Sequence, residues 1–157
     1  MEKILQILSL RIGNFHIGLN IEQVEKIIPA QSVIELSEKP EFLKGLINYF
    51  GEVIAVVDLR KRLNISLKDI EVSDKFVIVK TVDHKLVLIV DDIVDLKPFH
   101  DEDISISNAI YSGMKFISVL TVSENIVYIY DIDELLNKNE TVELESFIQN
   151  YSLNVAV

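Results

Sequence analysis

Apolar residues along the chain recur mostly with a period of two. Ile4, Leu5, Ile7, Leu8, Leu10 and Ile12 read as a strand, with Gly13-Asn14 as a turn and Phe15, Ile17, Leu19 and Ile21 as the return strand of a hairpin. Over 21–28 the spacing becomes helical, through Ile21, Val24, Ile27 and Ile28, and Pro29 ends that segment. Residues 33–36 read as a short strand and Lys39-Pro40 as a break. Strands are predicted over 45–50 and 52–57, joined at Gly51. Asp58 then caps a short helix running to Leu63, in which Leu59 and Leu63 share a face.

The second half opens with strands over 76–82 and 86–91 around an Asp83-His84 turn. The run from Leu86 to Val90 is apolar at all five positions and reads as a buried strand. Residues 93–99 continue as an edge strand closed by Pro98, and 100–112 are polar and loop-like. A further strand pair, 116–122 and 126–130, flanks Ser123-Glu124-Asn125, and Asp131 caps a helical turn through Leu136. Leu144, Phe147, Ile148 and Tyr151 fall at i, i+3, i+4 and i+7, which marks an amphipathic helix over about 140–151 with Asn139 as its cap. Glu140 and Glu143 suit its positive N-terminal end, and 152–157 either fray or add an edge strand.

The halves echo each other. The segment from Gly51 to Leu63, an apolar strand, an Asp and a helical turn, recurs 73 residues later from Glu124 to Leu136. The strand at 17–20 matches 88–91 at an offset of 71. Each half runs hairpin, excursion, strand pair, capped turn. The expected fold is all-β with three short helices, built as two similar small β-barrels packed together. The first unit covers about 13–72 and the second about 73–138, with the first strand, 3–12, open to sharing between them.

Charge and composition narrow the function. With 25 acidic and 15 basic residues the net charge is −10, which repels a phosphate backbone and argues against nucleic acid. The densest basic cluster, Arg60-Lys61-Arg62, reads as a solvated helical turn. No apolar run approaches the ~20 residues that span a bilayer, and the N-terminus carries no leader-like apolar stretch. Without cysteine there are neither disulfides nor thiolate metal sites.

Catalytic chemistry finds no foothold either. His16, His84 and His100 have no metal-ligand partner at helical or strand spacing, and the acidic clusters at 91–92, 101–103 and 131–134 lack calcium-loop spacing. The glycines form no phosphate-binding loop, and there is no tryptophan. No cofactor is expected. A small-ligand sensor or enzyme would need convergent polar groups, and none stand out. What remains is protein binding through sheet faces or apolar grooves.

The segment Phe42-Leu-Lys-Gly-Leu-Ile-Asn-Tyr-Phe-Gly-Glu-Val-Ile-Ala-Val-Val-Asp-Leu-Arg-Lys-Arg-Leu63 closely resembles the signature of CheW-like domains: an Asn-Leu-Arg-Gly corner, an apolar strand with a proline, then Asp-Leu-Arg. Residues 17–27, 85–94 and 126–136 resemble that family's second strand and following helix, its Val-Asp-x-Val segment and its closing strand, in the right order. Together the likeness covers about residues 4–138. It implies two five-stranded SH3-like barrels and the role of a non-catalytic chemotaxis adaptor. The implied partners are the cytoplasmic tip of a chemoreceptor, held in a groove between the barrels, and the regulatory domain of a CheA-type histidine kinase. The implied location is cytoplasmic, at the inner face of the membrane in receptor arrays, without membrane insertion.

Three positions depart from the family pattern. Phe50 stands where the corner has arginine, Lys26 where the helix carries glutamate, and Ala55 where the strand has proline. The family's arginine and glutamate form an ion pair, and losing both together strands no charge. These departures keep open a second reading, an adaptor of a non-chemotaxis two-component pathway such as gliding, development or gene regulation. Val24, Gly45, Asn48, Tyr49, Phe50 and Gly51 are the expected partner-binding residues. Phe50 has two readings: filler of core space at a strand end, or apolar anchor for a partner.

Overall fold

The computed structural model describes residues 4–100, 105–106, 110–111, 114–115, 118–122 and 125–155. The expected acidic cluster at 101–103, and parts of the expected elements around 112–117 and 123–124, lie outside the described residues. Thirteen strands are described: β1 Ile4–Ile12, β2 Phe15–Asn20, β3 Val24–Pro29, β4 Leu43–Tyr49, β5 Glu52–Val57, β6 Lys75–Lys80, β7 Lys85–Val90, β8 Asp92–His100, β9 Ser105–Ile106, β10 Ile110–Tyr111, β11 Met114–Lys115, β12 Ser118–Val122 and β13 Asn125–Ile129. The helices are α1 Leu59–Arg62 and α2 Lys138–Val155, with single 3-10 turns at Ile21–Gln23 and Ile132–Glu134.

The strands form a six-stranded sheet in the order β8-β1-β2-β13-β12-β9, a five-stranded sheet in the order β3-β6-β7-β5-β4, and the short pair β10-β11. The expected mostly-β fold with few helices is present, as open sheets rather than closed barrels. The five-stranded sheet nevertheless curls. Its two edge strands approach closely enough to place the Lys26 ammonium of β3 over the Tyr49 ring of β4.

The two main sheets share one strand order. Replacing β3, β6, β7, β5 and β4 by β8, β1, β2, β13 and β12 converts the five-stranded sheet into the first five strands of the other. The sequence echo therefore has a topological counterpart, and it is reciprocal. The hairpin β1–β2 completes a sheet with β8, β12 and β13, while β6–β7 completes a sheet with β3, β4 and β5. Each seam is a parallel pair: β5 with β7, Ala55 opposite Leu86, and β13 with β2, Val127 opposite His16. Each sheet draws strands from both halves, so the division at 72/73 is proposed as a boundary of the sequence repeat.

Burial follows from this weave. The largest core cluster lies between the sheets and takes Leu8, Leu10 and Leu19 from one and Val57, Val79 and Leu88 from the other. The opposite face of the five-stranded sheet buries Ile54, Val56, Phe76, Val87 and Ile89 in a second cluster. Alternate residues of β5 and β7 thus enter different cores, which is why these strands read as unbroken apolar runs. Ala55, in place of the family's proline, lies in a strand paired on both sides, where a proline would remove a ladder donor.

Several local expectations change. Residues 24–29 are a strand, not the end of a helix. A register shift between Val24 and Lys26 inserts an extra residue against β6, and this bulge turns a period of two into apparent helical spacing. Residues 33–36 supply one isolated bridge, Ile34 to Leu46, rather than a strand. Short strands occur within the segment read as a loop, at 105–106 and 110–111. The α2 helix begins earlier than expected and its backbone continues to Val155. Asn137, not Asn139, caps it: its Oδ1 accepts from the Glu140 N–H at 2.8 Å while Glu140 Oε1 accepts from the Asn137 N–H at 3.1 Å. Glu140 stands three residues after Asn137, so only that asparagine can close a reciprocal box. The two Asp caps form as read: Asp58 accepts from Arg60 N–H at 3.0 Å and Asp131 from Asp133 N–H at 2.9 Å.

The exchange of hairpins predicts that neither half folds alone. Fragments 1–72 and 73–157, purified separately, should each lack a cooperative thermal transition by circular dichroism. Their equimolar mixture should recover one.

Candidate functional site

The corner between β4 and β5 is a two-residue hairpin turn closed by Tyr49 opposite Glu52. Both central residues have positive φ, +51° at Phe50 and +90° at Gly51, the signature of a type I′ turn. Gly51 adopts this conformation freely; phenylalanine does not. Asn48 steadies the turn, its Oδ1 accepting from the Gly51 N–H at 2.8 Å. Phe50 is 93% exposed, so the reading of it as core filler is set aside. Its ring meets Tyr49 edge-on, with centroids 4.7 Å apart at 83°. On Tyr49 sits Lys26, its Nζ 5.4 Å from the ring centroid. Two of the three positions that depart from the family pattern, Lys26 and Phe50, are thus joined through one aromatic ring instead of an ion pair.

Beside this stack, Lys85 bridges Glu25 and Glu52, at 3.1 Å each. The hydrogen bonds that Lys85 donates to Glu25 and then to Glu52 raise its pKa above the ordinary value. Of the six expected binding residues, the fold brings Asn48, Tyr49, Phe50 and Gly51 together at this corner. Val24 and Gly45 sit elsewhere. Val24 is half-buried against the main core. Gly45 is buried where residues 33–34 cross β4, and a Cβ there would stand 2.4 Å from the Ile34 carbonyl oxygen.

A second constellation joins the halves. Arg60 of α1 donates through Nη2 to both carboxylate oxygens of Asp91, at 2.9 and 2.7 Å, and both side chains are about seven-eighths buried. Asp91 also accepts from the Gly13 N–H at 2.8 Å and faces Arg11 at 3.5 Å. Burial pushes the Asp91 carboxyl up, but the Arg60 hydrogen bonds, the Gly13 N–H and the Arg60 charge outweigh it and hold it below its usual value. The Asp-Leu-Arg and Val-Asp-x-Val motifs therefore meet at this pair. Sequence inspection marks both motifs but not their contact, because 31 residues separate them.

The seam between the sheets is partly covered by α2. Leu144 is buried, and Phe147, Ile148 and Tyr151 pack against the main core. Glu140 pairs with Arg62 of the first half and Glu145 with His84 of the second. Tyr130, buried at the same core, has its phenol pushed up to about 12 by burial, against the opposing pull of Arg62. Among the described residues no group of three histidines or carboxylates comes together to hold a metal, and no helix is long and apolar enough to cross a membrane.

The chain matches the family model described as CheW-like domain over residues 6–140. It is 25% identical over 146 residues to the chemotaxis protein CheW of Treponema pallidum, covering 88% of this chain and 86% of that one. It is 22% identical over 134 residues to the chemotaxis protein CheW of Thermotoga maritima, covering 85% and 88%. The crystal structure of the scaffolding protein TtCheW from Thermoanaerobacter tengcongensis superposes with a TM-score of 0.78 over 88% of this chain and 91% of that one, at 23% identity.

Two substitutions test the geometry. Asp91→Asn leaves the Arg60 charge poorly paired and should cost about 3 kcal/mol at neutral pH by urea unfolding, the low end for a broken buried pair. Because the folded-state pKa of Asp91 lies below the ordinary 3.8, its contribution is present above that value and lost as pH falls through the folded one. The gap between wild type and variant should therefore narrow below pH 3.8. Gly45→Ala drives a Cβ into a backbone oxygen that cannot give way, and should cost about 2 kcal/mol in the same assay.

Proposed function

Because the chain belongs to the CheW-like domain family, we infer that it is a non-catalytic scaffold of bacterial chemotaxis, coupling chemoreceptors to a CheA-type histidine kinase. The observation that carries this reading is the family match over residues 6–140, which spans both main sheets. The side-chain chemistry supports it. Asp58 and Asp131 cap helical turns, Asp74 is buried and bound by Lys68, and Asp91 is bound by Arg60. Their carboxylates are engaged in structure, which suits a molecule whose work is binding.

The relatives named above are chemotaxis proteins, and this favours the receptor–kinase role over an adaptor of another two-component pathway. The proposed partners are the cytoplasmic tip of a receptor and the regulatory domain of the kinase, which implies a cytoplasmic position at the inner face of the membrane. The Asn48–Gly51 corner is the proposed contact, with Val24 and Gly45 in its supporting frame.

Co-sedimentation tests the reading. The purified protein should pellet with receptor cytoplasmic fragments assembled on vesicles and should recruit the kinase to them. If it binds neither fragment at micromolar concentration, the adaptor role fails.

A further inference from the structure

Strand β8 is the one long sheet edge left open among the described residues. It ends the six-stranded sheet and pairs with β1 along one side only, whereas the other end of that sheet is the two-residue β9. The edge strands of the five-stranded sheet instead approach each other across its curl. An open edge offers a row of backbone donors and acceptors to any extended chain. β8 offers side chains as well. Val94 is 46% and Leu96 50% exposed. Asp95 and Lys97 lie on the opposite face by alternation, and they pair along the strand at 3.4 Å.

These residues are self-complementary about Leu96, with an acid at 95 answering a base at 97 and an apolar side chain at 94 answering another at 98. We propose that β8 is a homodimer edge, at which two copies of this chain pair antiparallel about a twofold axis through Leu96. Such a pair sets residues equally far from the axis opposite each other. Leu96 then meets its own copy, Val94 meets Pro98, and Asp95 meets Lys97 on both sides of the axis. On one face the four charges form a square of alternating sign, and on the other Val94, Leu96 and Pro98 of both copies form an apolar stripe. Lys97, Pro98 and the bulge that leaves Val94 without a partner on β1 all discourage pairing with an arbitrary strand. A second copy answers them, bringing an acid to the lysine and an apolar side chain to the proline. Each copy carries a net charge of −10, so association needs this matching at the contact itself.

The dimer is independent of the adaptor reading and is tested on the full chain by sedimentation velocity. The wild type should pass from monomer toward dimer as its concentration rises from about 10 μM to about 1 mM, the range of a small contact. Asp95→Lys alone sets four ammonium groups in the square and Lys97→Asp alone sets four carboxylates, and each should weaken self-association by about tenfold or more. An equimolar mixture of these two variants should dimerise as well as the wild type, because lysines then face aspartates at every corner. The sequence has no cysteine, so Leu96→Cys supplies a single reporter. Facing Cα atoms of an antiparallel pair stand about 5 Å apart, within disulfide reach. Mild oxidation should therefore crosslink Leu96→Cys at least about tenfold faster than Val72→Cys, which carries its thiol on another exposed position.

A wild type that stays monomeric at millimolar concentration overturns the dimer. A dimer that both single charge variants leave intact puts the contact elsewhere and overturns the edge. So does failure of the two variants to pair when mixed, provided each keeps the wild-type Tm. Equal crosslinking of Leu96→Cys and Val72→Cys overturns the axis. Growth beyond two copies also overturns the proposal, because a twofold contact closes on itself.

Discussion

Two parallel strand pairs, β5 beside β7 and β13 beside β2, join segments far apart in the chain, and every other element is arranged around them. Hairpins can form locally, because a short turn brings antiparallel strands together at small entropic cost. A parallel pair cannot, since its strands must be brought together by a long excursion. Here each excursion leads into the other half. Once both seams close, the two sheets face each other and the apolar faces of β1, β2, β5 and β7 are enclosed in one core. Neither sheet can be completed without strands from the other half, so the core is a property of the whole molecule.

The Arg60–Asp91 pair lies where this weave crosses. Taking two charges out of water is costly, and an ion pair of this kind adds less to stability than to alignment. Its geometry supports the second role. Asp91 touches α1 through Arg60 and the β1–β2 turn through Gly13, and so sets three chain segments against one another. The side-chain contacts that pin α2, Arg62 with Glu140 and His84 with Glu145, likewise reach into both halves. These contacts act as clasps around an apolar interior.

A rigid frame of this kind lets one turn carry an unfavourable conformation. The β4–β5 corner is held by a strand pair whose inner residues, Ile47 and Ile54, are buried. The frame can therefore hold Phe50 with positive φ and its ring in water. Where the family has an ion pair, a Lys26–Tyr49–Phe50 stack links the two positions through one ring. The corner therefore presents an exposed aromatic ring with a cation behind it.

Much of the fold could be read from residue order alone. Alternation located the β1–β2, β4–β5 and β6–β7 hairpins, and Asp followed by a helical turn located both caps, because these signals depend on neighbours within a few residues. The bulge at Val24–Lys26 misled the same reasoning, since an extra residue in a strand mimics helical spacing and only the partner strand reveals it. Asn139 reads as the cap of α2 from residue order, and the reciprocal bond between Asn137 and Glu140, visible only in the structure, places the cap two residues earlier. The repeat was legible at its offsets of 73 and 71, but the exchange of hairpins between its halves was not. Pairing between distant strands is decided by which apolar faces can be buried together. The candidate site divides along the same line. The identities of Asn48, Tyr49, Phe50 and Gly51 marked the corner, while the exposure of Phe50 and its link to Lys26 emerged only when the curled sheet brought opposite edges together.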